Sequence, residues 1–273
     1  MELACEDFVA VNVPANFQQP EDLHEYFSLR APPNTSIWRK PSASDDTSAP
    51  MILKRLRQSF ILAEVTVSAD FAREFDQAGI VIFAGSLPDP STRSPVIARR
   101  VSRYQRPGNE ALATGKWAKA GLELIEGELH AASVVAISPC GADWASSARL
   151  PSPPTPFGSY SLTSHSLRIK LERVEESLWI WYKLPDHIAP FEQPHHCYPG
   201  LDPRYQRERN PEDVASGWRK MREIMGFFGG GLEHQKGTVW VGCYASRPME
   251  FEPRHSWETV DGLVAEFEDL DIL

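Results

Sequence analysis

Apolar residues recur at every second position in several stretches of the chain, a pattern typical of half-buried β-strands. This alternation predicts strands over 60–67, 78–83, 133–137, 167–172, 177–183 and 238–245. The run 78–83 is apolar at nearly every position, so we expect its strand to be buried on both faces. The runs 167–172 and 177–183 lie close enough in sequence to form a hairpin.

Proline-rich segments separate these strands and cannot belong to a central sheet, because proline has no backbone N–H to donate. They lie at 86–90 and 152–156. Many short strands with Gly and Pro between them predict an all-β fold, a jelly-roll sandwich with little helix. We find no internal repeat and no linker that splits the chain, so the sequence predicts one domain over 1–273.

Two segments do not fit the alternating pattern clearly. Residues 213–224 have a composition compatible with a turn or two of helix. Near the C-terminus, Val260, Leu263, Val264 and Phe267 have helical spacing, whereas 265–270 is also compatible with an edge strand. Periodicity alone does not decide between helix and strand in segments this short.

Composition and charge narrow the possible partners. The 273 residues are 42% hydrophobic and 24% charged, which is ordinary for a globular protein. With 37 acidic and 28 basic residues the formal charge is −9, so nucleic acid is not an expected ligand. The arginine-containing segment 97–106 is interpreted as a solvated surface, because tracking phosphates needs more basic residues.

The sequence also predicts a cytoplasmic protein with no membrane association. No apolar run approaches the eighteen residues of a transmembrane helix, and the first residues lack the features of a signal peptide. The four cysteines, Cys5, Cys140, Cys197 and Cys243, have wide and irregular spacings that match neither a disulfide framework nor a metal knuckle. We therefore expect free thiols.

The common catalytic and cofactor motifs are missing from the sequence. Adjacent histidines in 195–197 point in opposite directions on an extended chain, so no metal site is expected there, although calcium bound by loop carbonyls stays open. There is no nucleophile elbow, no phosphate-binding loop at Gly229–Gly231 and no paired-carboxylate strand of the sandwich glucanases. The sequence predicts no cofactor.

An ordered set of segments resembles a concanavalin A-like family of unknown function that includes bacterial YesU-like proteins and a fungal protein named for regulation of enolase. The most specific parts are the Asp-Gln-Ala-Gly of 76–79 and the Trp-x-Lys-x-Gly-x-Glu of 117–123. The other segments are 35–40, 133–135, 143–145, 167–169, 218–219 and 241–248. The resemblance covers the chain from about residue 34 to the C-terminus. It implies two antiparallel sheets with a concave face and a C-terminal closing strand.

Two stretches are longer than in compact relatives of this kind. Residues 185–217 form a long polar insertion, and 86–116 is also extended. Long loops inside a compact domain are usually lids or binding loops. We therefore expect a lid or loop insertion at 185–217.

Three polar residues are the candidate catalytic groups. Period two places Trp117, Lys119 and Glu123 on one face of a strand, with Glu123 as a proton acceptor and Lys119 as a charge stabiliser. Gln77 opens a buried strand next to Gly79 and would offer hydrogen-bond donors and acceptors at the wall of a cleft. For Lys119 and Glu123 the alternatives are a solvated outer face or a structural ion pair. For Asp76 the alternative is the capping of a turn, and for Gln77 it is hydrogen bonding to backbone groups.

Aromatic and polar residues of the same segments are the candidate ligand-binding groups, since aromatic rings suit sugar rings and flat ligands. They are Trp38, Arg39, Asp76, Trp117, Asp143, Trp144, Tyr182 and Tyr244. The alternative is that most of these aromatic residues belong to the core.

Two functions agree with these observations. One is an intracellular binding protein that holds a carbohydrate or small metabolite in an aromatic-lined concave cleft, with a regulatory role and a metabolic enzyme as partner. The alternative is a cofactor-independent enzyme, a cyclase, isomerase or pericyclase such as a Diels–Alderase, acting on a reactive small molecule in a biosynthetic pathway. The missing motifs disfavour a hydrolase.

Overall fold

The computed structural model describes residues 8–20, 22–40, 45–85, 115–138, 141–150, 165–184, 217–229, 239–248 and 262–273. Every regular element in these ranges is a β-strand. The strands are β1 Phe8–Val11, β2 Tyr26–Ala31, β3 Ile37–Arg39, β4 Asp45–Thr47, β5 Met51–Arg55, β6 Leu62–Ala69, β7 Gln77–Ala84, β8 Lys116–Ile125, β9 Glu128–Ser138, β10 Gly141–Arg149, β11 His165–Val174, β12 Ser177–Lys183, β13 Arg219–Ile224, β14 Val239–Ser246 and β15 Leu263–Ile272.

The strands form two large sheets and one hairpin. A seven-stranded sheet has the order β1-β5-β14-β7-β8-β9-β10, and a six-stranded sheet has the order β13-β12-β11-β6-β15-β2. Neighbouring strands in both sheets are antiparallel. The short strands β3 and β4 pair only with each other. This arrangement confirms the all-β sandwich expected from the sequence.

The main core lies between the two large sheets. Alternate residues of both sheets point into it, including Ile80 and Leu122 from the seven-stranded sheet and Val65, Ile169 and Phe267 from the six-stranded sheet. Burying these side chains removes apolar surface from water, which is the dominant stabilising term for a sandwich.

A second apolar cluster lies on the opposite face of the seven-stranded sheet, which we call the outer face. It contains Met51, Val81, Phe83 and Tyr244 together with Ile37 of the hairpin β3–β4. The hairpin therefore packs over this outer face, and β7 is buried on both sides along its whole length, as the sequence predicted.

The predicted strands are all found, although some bounds differ by a few residues. The hairpin of β11 and β12 closes through a two-residue turn at Glu175 and Glu176, with Val174 opposite Ser177. The C-terminal segment is the closing strand β15. The helical interpretation of 213–224 is wrong for the described part, because Arg219–Ile224 is β13 at the edge of the six-stranded sheet.

Several sequence-based expectations fall on residues outside the described ranges. These are the lid at 185–217 apart from Gly217, most of the extended segment 86–116, the basic segment 97–106, the histidine pair, the proline-rich breaks, and Cys5, Cys140 and Cys197. Within the described ranges, no helix is long and apolar enough to span a membrane.

Candidate functional site

Neighbouring strands β7 and β8 bring the three candidate catalytic residues together on the outer face. Gln77 lies directly opposite Glu123 in the register, and Lys119 lies opposite Val81. Since successive residues alternate between faces, Lys119 and Glu123 project on the same side as Gln77. That side faces away from the six-stranded sheet, so the three groups do not contribute to the main core.

Five side chains on this face form one connected group, which we call the Lys119 cluster: Gln77, Lys119, Glu123, Trp144 and Tyr244. The ammonium of Lys119 donates to Oε1 of Gln77, and Nε2 of Gln77 lies 3.3 Å from Oε1 of Glu123. The indole Nε1 of Trp144 donates to Oε2 of Glu123 at 2.8 Å. The ring of Tyr244 lies 5.3 Å from the Lys119 ammonium, within range of a cation–π interaction.

The cluster is covered except at Trp144. Lys119 is 1% exposed, Glu123 5% and Gln77 6%, whereas Trp144 is 41% exposed. Ionisable side chains are rarely buried to this degree unless they are paired or functional. Trp144 is therefore the member of the cluster that solvent or a ligand contacts first.

Two glycines form the surface on which Lys119 lies. Gly79 and Gly121 are paired across β7 and β8, between the Gln77–Glu123 pair and the Val81–Lys119 pair. A Cβ atom on Gly121 would lie 2.0 Å from the carbonyl oxygen of Ala78, so the backbones approach too closely there for any larger residue. Because no side chain rises from this pair, the Lys119 side chain has room to reach along the strand to Gln77.

Burial shifts the amine and the carboxyl group of the cluster toward their neutral forms. Loss of hydration lowers the pKa of Lys119 to about 8, although the negative charges of Glu123 and Asp46 oppose the shift. Burial also raises the pKa of Glu123, against the opposing effects of the Trp144 hydrogen bond and the Lys119 charge. An amine and a carboxyl group with pKa values moved toward each other form a candidate acid–base pair.

Trp117 and Arg39 belong to a separate network that fastens the hairpin to the sheet. Arg39 binds Asp45 through two hydrogen bonds, of 2.6 and 2.8 Å, and donates to the carbonyl oxygens of Gly115, Ala136 and Ser138.

The indole Nε1 of Trp117 donates to the same Asp45 carboxylate at 3.2 Å. Arg39 and Trp117 are each 1% exposed. The structure thus gives these two predicted ligand-binding residues a role in holding the hairpin β3–β4.

Asp76 forms a buried ion pair next to the cluster. Its carboxylate accepts hydrogen bonds of 2.8 and 2.7 Å from Arg247 and others from the backbone N–H groups of Ala72 and Arg73. Both partners of the ion pair are almost fully buried. Asp76 thereby fixes the start of β7, and with it the position of Gln77.

Three further ligand-binding candidates lie away from the cluster. Tyr182 of β12 is buried in the core between the sheets. Asp143 of β10 is bound to Arg222 of β13, so it links the edges of the two sheets. Trp38 of β3 is half-exposed on the hairpin.

Sequence reasoning missed Asp45 and Arg247. Arg247 stands in one of the segments that carried the family resemblance, but its partner Asp76 is 171 residues away, so no local pattern pairs them. Asp45 had no signal, because its roles toward Arg39 and Trp117 exist only in the folded chain. No group of three potential metal-ligating side chains occurs among the residues that the structure describes.

Comparisons with known proteins point to a family without an assigned activity. A family model described as "Protein of unknown function (DUF1349)" matches residues 11–273. An uncharacterized protein of Emericella nidulans, AN7484, is 26% identical over 242 residues, which are 88% of this chain and 86% of that protein.

A solved structure of similar extent shares the fold. A functionally unknown protein from Saccharomyces cerevisiae superposes with a TM-score of 0.53 at 15% identity, covering 98% of this chain and 97% of that one. LamAcat from Zobellia galactanivorans gives a TM-score of 0.41 at 9% identity, over 99% of this chain and 92% of its own. At 15% identity the likeness to the Saccharomyces cerevisiae protein concerns the fold alone.

Proposed function

Because the chain belongs to the DUF1349 family of unknown function, its function must be argued from its own residues, and we propose that it binds a small hydroxylated metabolite at the Lys119 cluster. The observation that carries the proposal is the contact of Trp144 with Glu123. This hydrogen bond, 2.8 Å from Nε1 of Trp144 to Oε2 of Glu123, joins a partly exposed aromatic ring to a buried carboxylate.

This combination suits a carbohydrate or polyol. The apolar face of a sugar ring packs on an aromatic side chain, while its hydroxyl groups donate to carboxylate and amide oxygens. Glu123 and Gln77 supply such oxygens, and Lys119 supplies a donor. A ligand hydroxyl would take over the hydrogen bond that Trp144 now makes to Glu123.

Ligand-induced thermal stabilisation tests the proposal. The full chain is screened against monosaccharides and sugar alcohols, and the melting temperature should rise with the concentration of a bound ligand. Trp144→Ala and Glu123→Gln should each weaken binding at least tenfold, whereas Trp38→Ala, which removes a half-exposed tryptophan outside the cluster, should not. Equal weakening by Trp144→Ala and Trp38→Ala, or no weakening by either, would overturn the proposal.

A second candidate function, a cofactor-independent isomerase or cyclase, is favoured by the opposite pKa shifts of Lys119 and Glu123. A carboxylate at Glu123 would remove a proton next to a carbonyl group, and Lys119 would stabilise the negative oxygen that develops. The test is exchange of the α-hydrogens of dihydroxyacetone in deuterated water, followed by NMR. Exchange catalysed by the protein and lost in Glu123→Gln supports the enzyme; exchange at the rate of buffer alone excludes it for this substrate.

A further inference from the structure

Lys119 has different surroundings from Lys116 and Lys170, two partly buried lysines of the described chain. Lys116 donates to three backbone carbonyl groups, those of Gly226, Phe227 and Gly229. The ammonium of Lys170 lies over the rings of Trp181 and Trp218, in cation–π contacts, and 3.5 Å from Oε2 of Glu172. These contacts satisfy the charged ammonium groups.

The ammonium of Lys119 instead donates to a neutral amide, that of Gln77. The groups that face it are the ring of Tyr244 from β14, the carboxyl of Glu123 from its own strand and the charge of Asp46 from β4. Burial holds its pKa near 8, and that of the Tyr244 hydroxyl well above its usual value. At neutral pH roughly one-tenth of such a lysine is the free amine, the form that attacks carbonyl carbon.

We propose that Lys119 is a nucleophile that captures an aldehyde or ketone as an imine, in the site proposed above for hydroxylated metabolites. The inference rests on that proposed function and adds a chemical class to it: the ligand is a hydroxylated carbonyl compound. The paired glycines Gly79 and Gly121 carry no side chains, so the Lys119 side chain extends over them and brings its amine to Gln77, whose amide also contacts Glu123.

The reaction needs no oxidant or cofactor. The free amine of Lys119 adds to the carbonyl carbon, and a proton moves from nitrogen to the new oxygen to give a carbinolamine. Protonated Glu123 then gives a proton to the hydroxyl group, which leaves as water while the nitrogen lone pair forms the C=N bond. The products are an iminium ion at Lys119, a carboxylate at Glu123 and one water, and hydrolysis reverses the step.

Access to the amine passes Trp144. Since Lys119 is nearly fully covered and Trp144 is the exposed member of the cluster, the indole must leave Glu123 before a ligand enters. For a small open-chain aldehyde such as glyceraldehyde, which has no sugar-ring face to pack on the indole, removing the ring should therefore speed the reaction at Lys119.

Reductive trapping tests the inference. The full chain is incubated with glyceraldehyde and cyanoborohydride at pH 7, and the modified lysines are quantified by peptide mass spectrometry. Lys119 should be modified at least tenfold faster than Lys220, a reference whose side chain is 43% exposed.

Two variants complete the design. Trp144→Ala should increase trapping at Lys119 several-fold without changing Lys220, and Lys119→Met should remove the adduct at 119 while Lys220 reacts as before. Trapping at Lys119 no faster than at Lys220, both in the natural chain and in Trp144→Ala, overturns the inference. If sugar alcohols still bind in a Trp144-dependent way in that case, only the imine is lost; if they do not, the proposed function fails as well.

Discussion

The nearest partners of the Lys119 ammonium group are the amide of Gln77 and the aromatic ring of Tyr244. In the folded state the charged form of Lys119 therefore loses its hydration, and this free-energy cost is absent in the unfolded chain. This penalty is what lowers the pKa of Lys119 to about 8 from its usual 10.5. The same penalty makes folding depend on pH.

The pH dependence gives a prediction for Lys119→Met. A lowered pKa in the folded state means that the natural chain gains stability, relative to this variant, as the pH rises from about 8 to 10.5. The gain should be about 3 kcal/mol, and the difference should be constant below pH 8, where both states bind the proton. Urea unfolding at pH 7, 8.5 and 10 measures it.

A matched control is Lys220→Met, which removes an exposed lysine of β13. Because this side chain is 43% exposed, its removal uncovers no buried charge and serves as the baseline for Lys119→Met at each pH. If the free energies of unfolding of Lys119→Met and the natural chain differ by the same amount at every pH from 7 to 10, burial does not cost Lys119 the hydration free energy on which the prediction depends.

For single residues, the sequence predicted which side chains share a face of the strand but not all of their roles. Strand periodicity placed Trp117, Lys119 and Glu123 on one face, as the register shows. It did not separate Trp117, which binds Asp45 of the hairpin, from the other two. Such roles depend on contacts between distant segments, and period two contains no information about them.

At the scale of elements, the pair β7–β8 depends on glycine where the two backbones come closest. A Cβ at position 121 would overlap the carbonyl oxygen of Ala78 at 2.0 Å. We expect Gly121→Ala to lower the free energy of unfolding by about 3 kcal/mol, because the strands must separate to admit the methyl group. Urea unfolding measures the loss.

Gly127 offers the comparison for this substitution. It lies in the turn after β8 with a φ of +77° and nothing within 4 Å of an added Cβ. Gly127→Ala should cost only about 1 kcal/mol, the cost of the left-handed conformation. Equal losses in the free energy of unfolding for the two variants would show that the close approach of the backbones at Gly121 is not the cause of the loss.

The hairpin β3–β4 depends on the Arg39–Asp45 pair for its attachment. Arg39→Met removes both hydrogen bonds to Asp45 and three to backbone carbonyl groups. Breaking a buried pair in this way should cost about 3 kcal/mol in urea unfolding. Arg149→Met removes an ion pair whose arginine side chain is 62% exposed, and it should cost less than about 1 kcal/mol. A loss below 1 kcal/mol for Arg39→Met would mean that the apolar contacts alone hold the hairpin.

The elements that sequence reasoning left ambiguous have irregular patterns for physical reasons. In β15 the pairing shifts between Glu268 and Asp271, and Asp269 has a φ of 55°. This irregularity moves the buried position from Phe267 to Leu270. The helical spacing included Val264, an apolar residue that is 44% exposed in the strand. In the edge strand β13 only Ile224 is fully buried, so no alternation is visible to oppose the helical interpretation.

For the whole molecule, the central question is whether the two sheets separate only when the protein unfolds. Cys243 reports on this, because β14 lies between β5 and β7 and the thiol is buried in the core that both sheets share. Burial also raises the thiol's pKa well above its usual value, which suppresses the reactive thiolate. A chain that carries Ser at positions 5, 140 and 197 leaves this thiol as the only one.

In that chain we expect a thiol reagent to label Cys243 only through global opening. The labelling rate should rise with urea as steeply as the equilibrium constant for unfolding, since exposing the side chain requires the sheets to part. The control replaces Cys243 with Ala and the exposed Ser147 with Cys, which should react at the rate of an unfolded peptide in all conditions. Fast labelling of Cys243 that does not respond to urea would show that β14 opens alone, and the rigid sandwich that positions the Lys119 cluster would then be a locally mobile sheet.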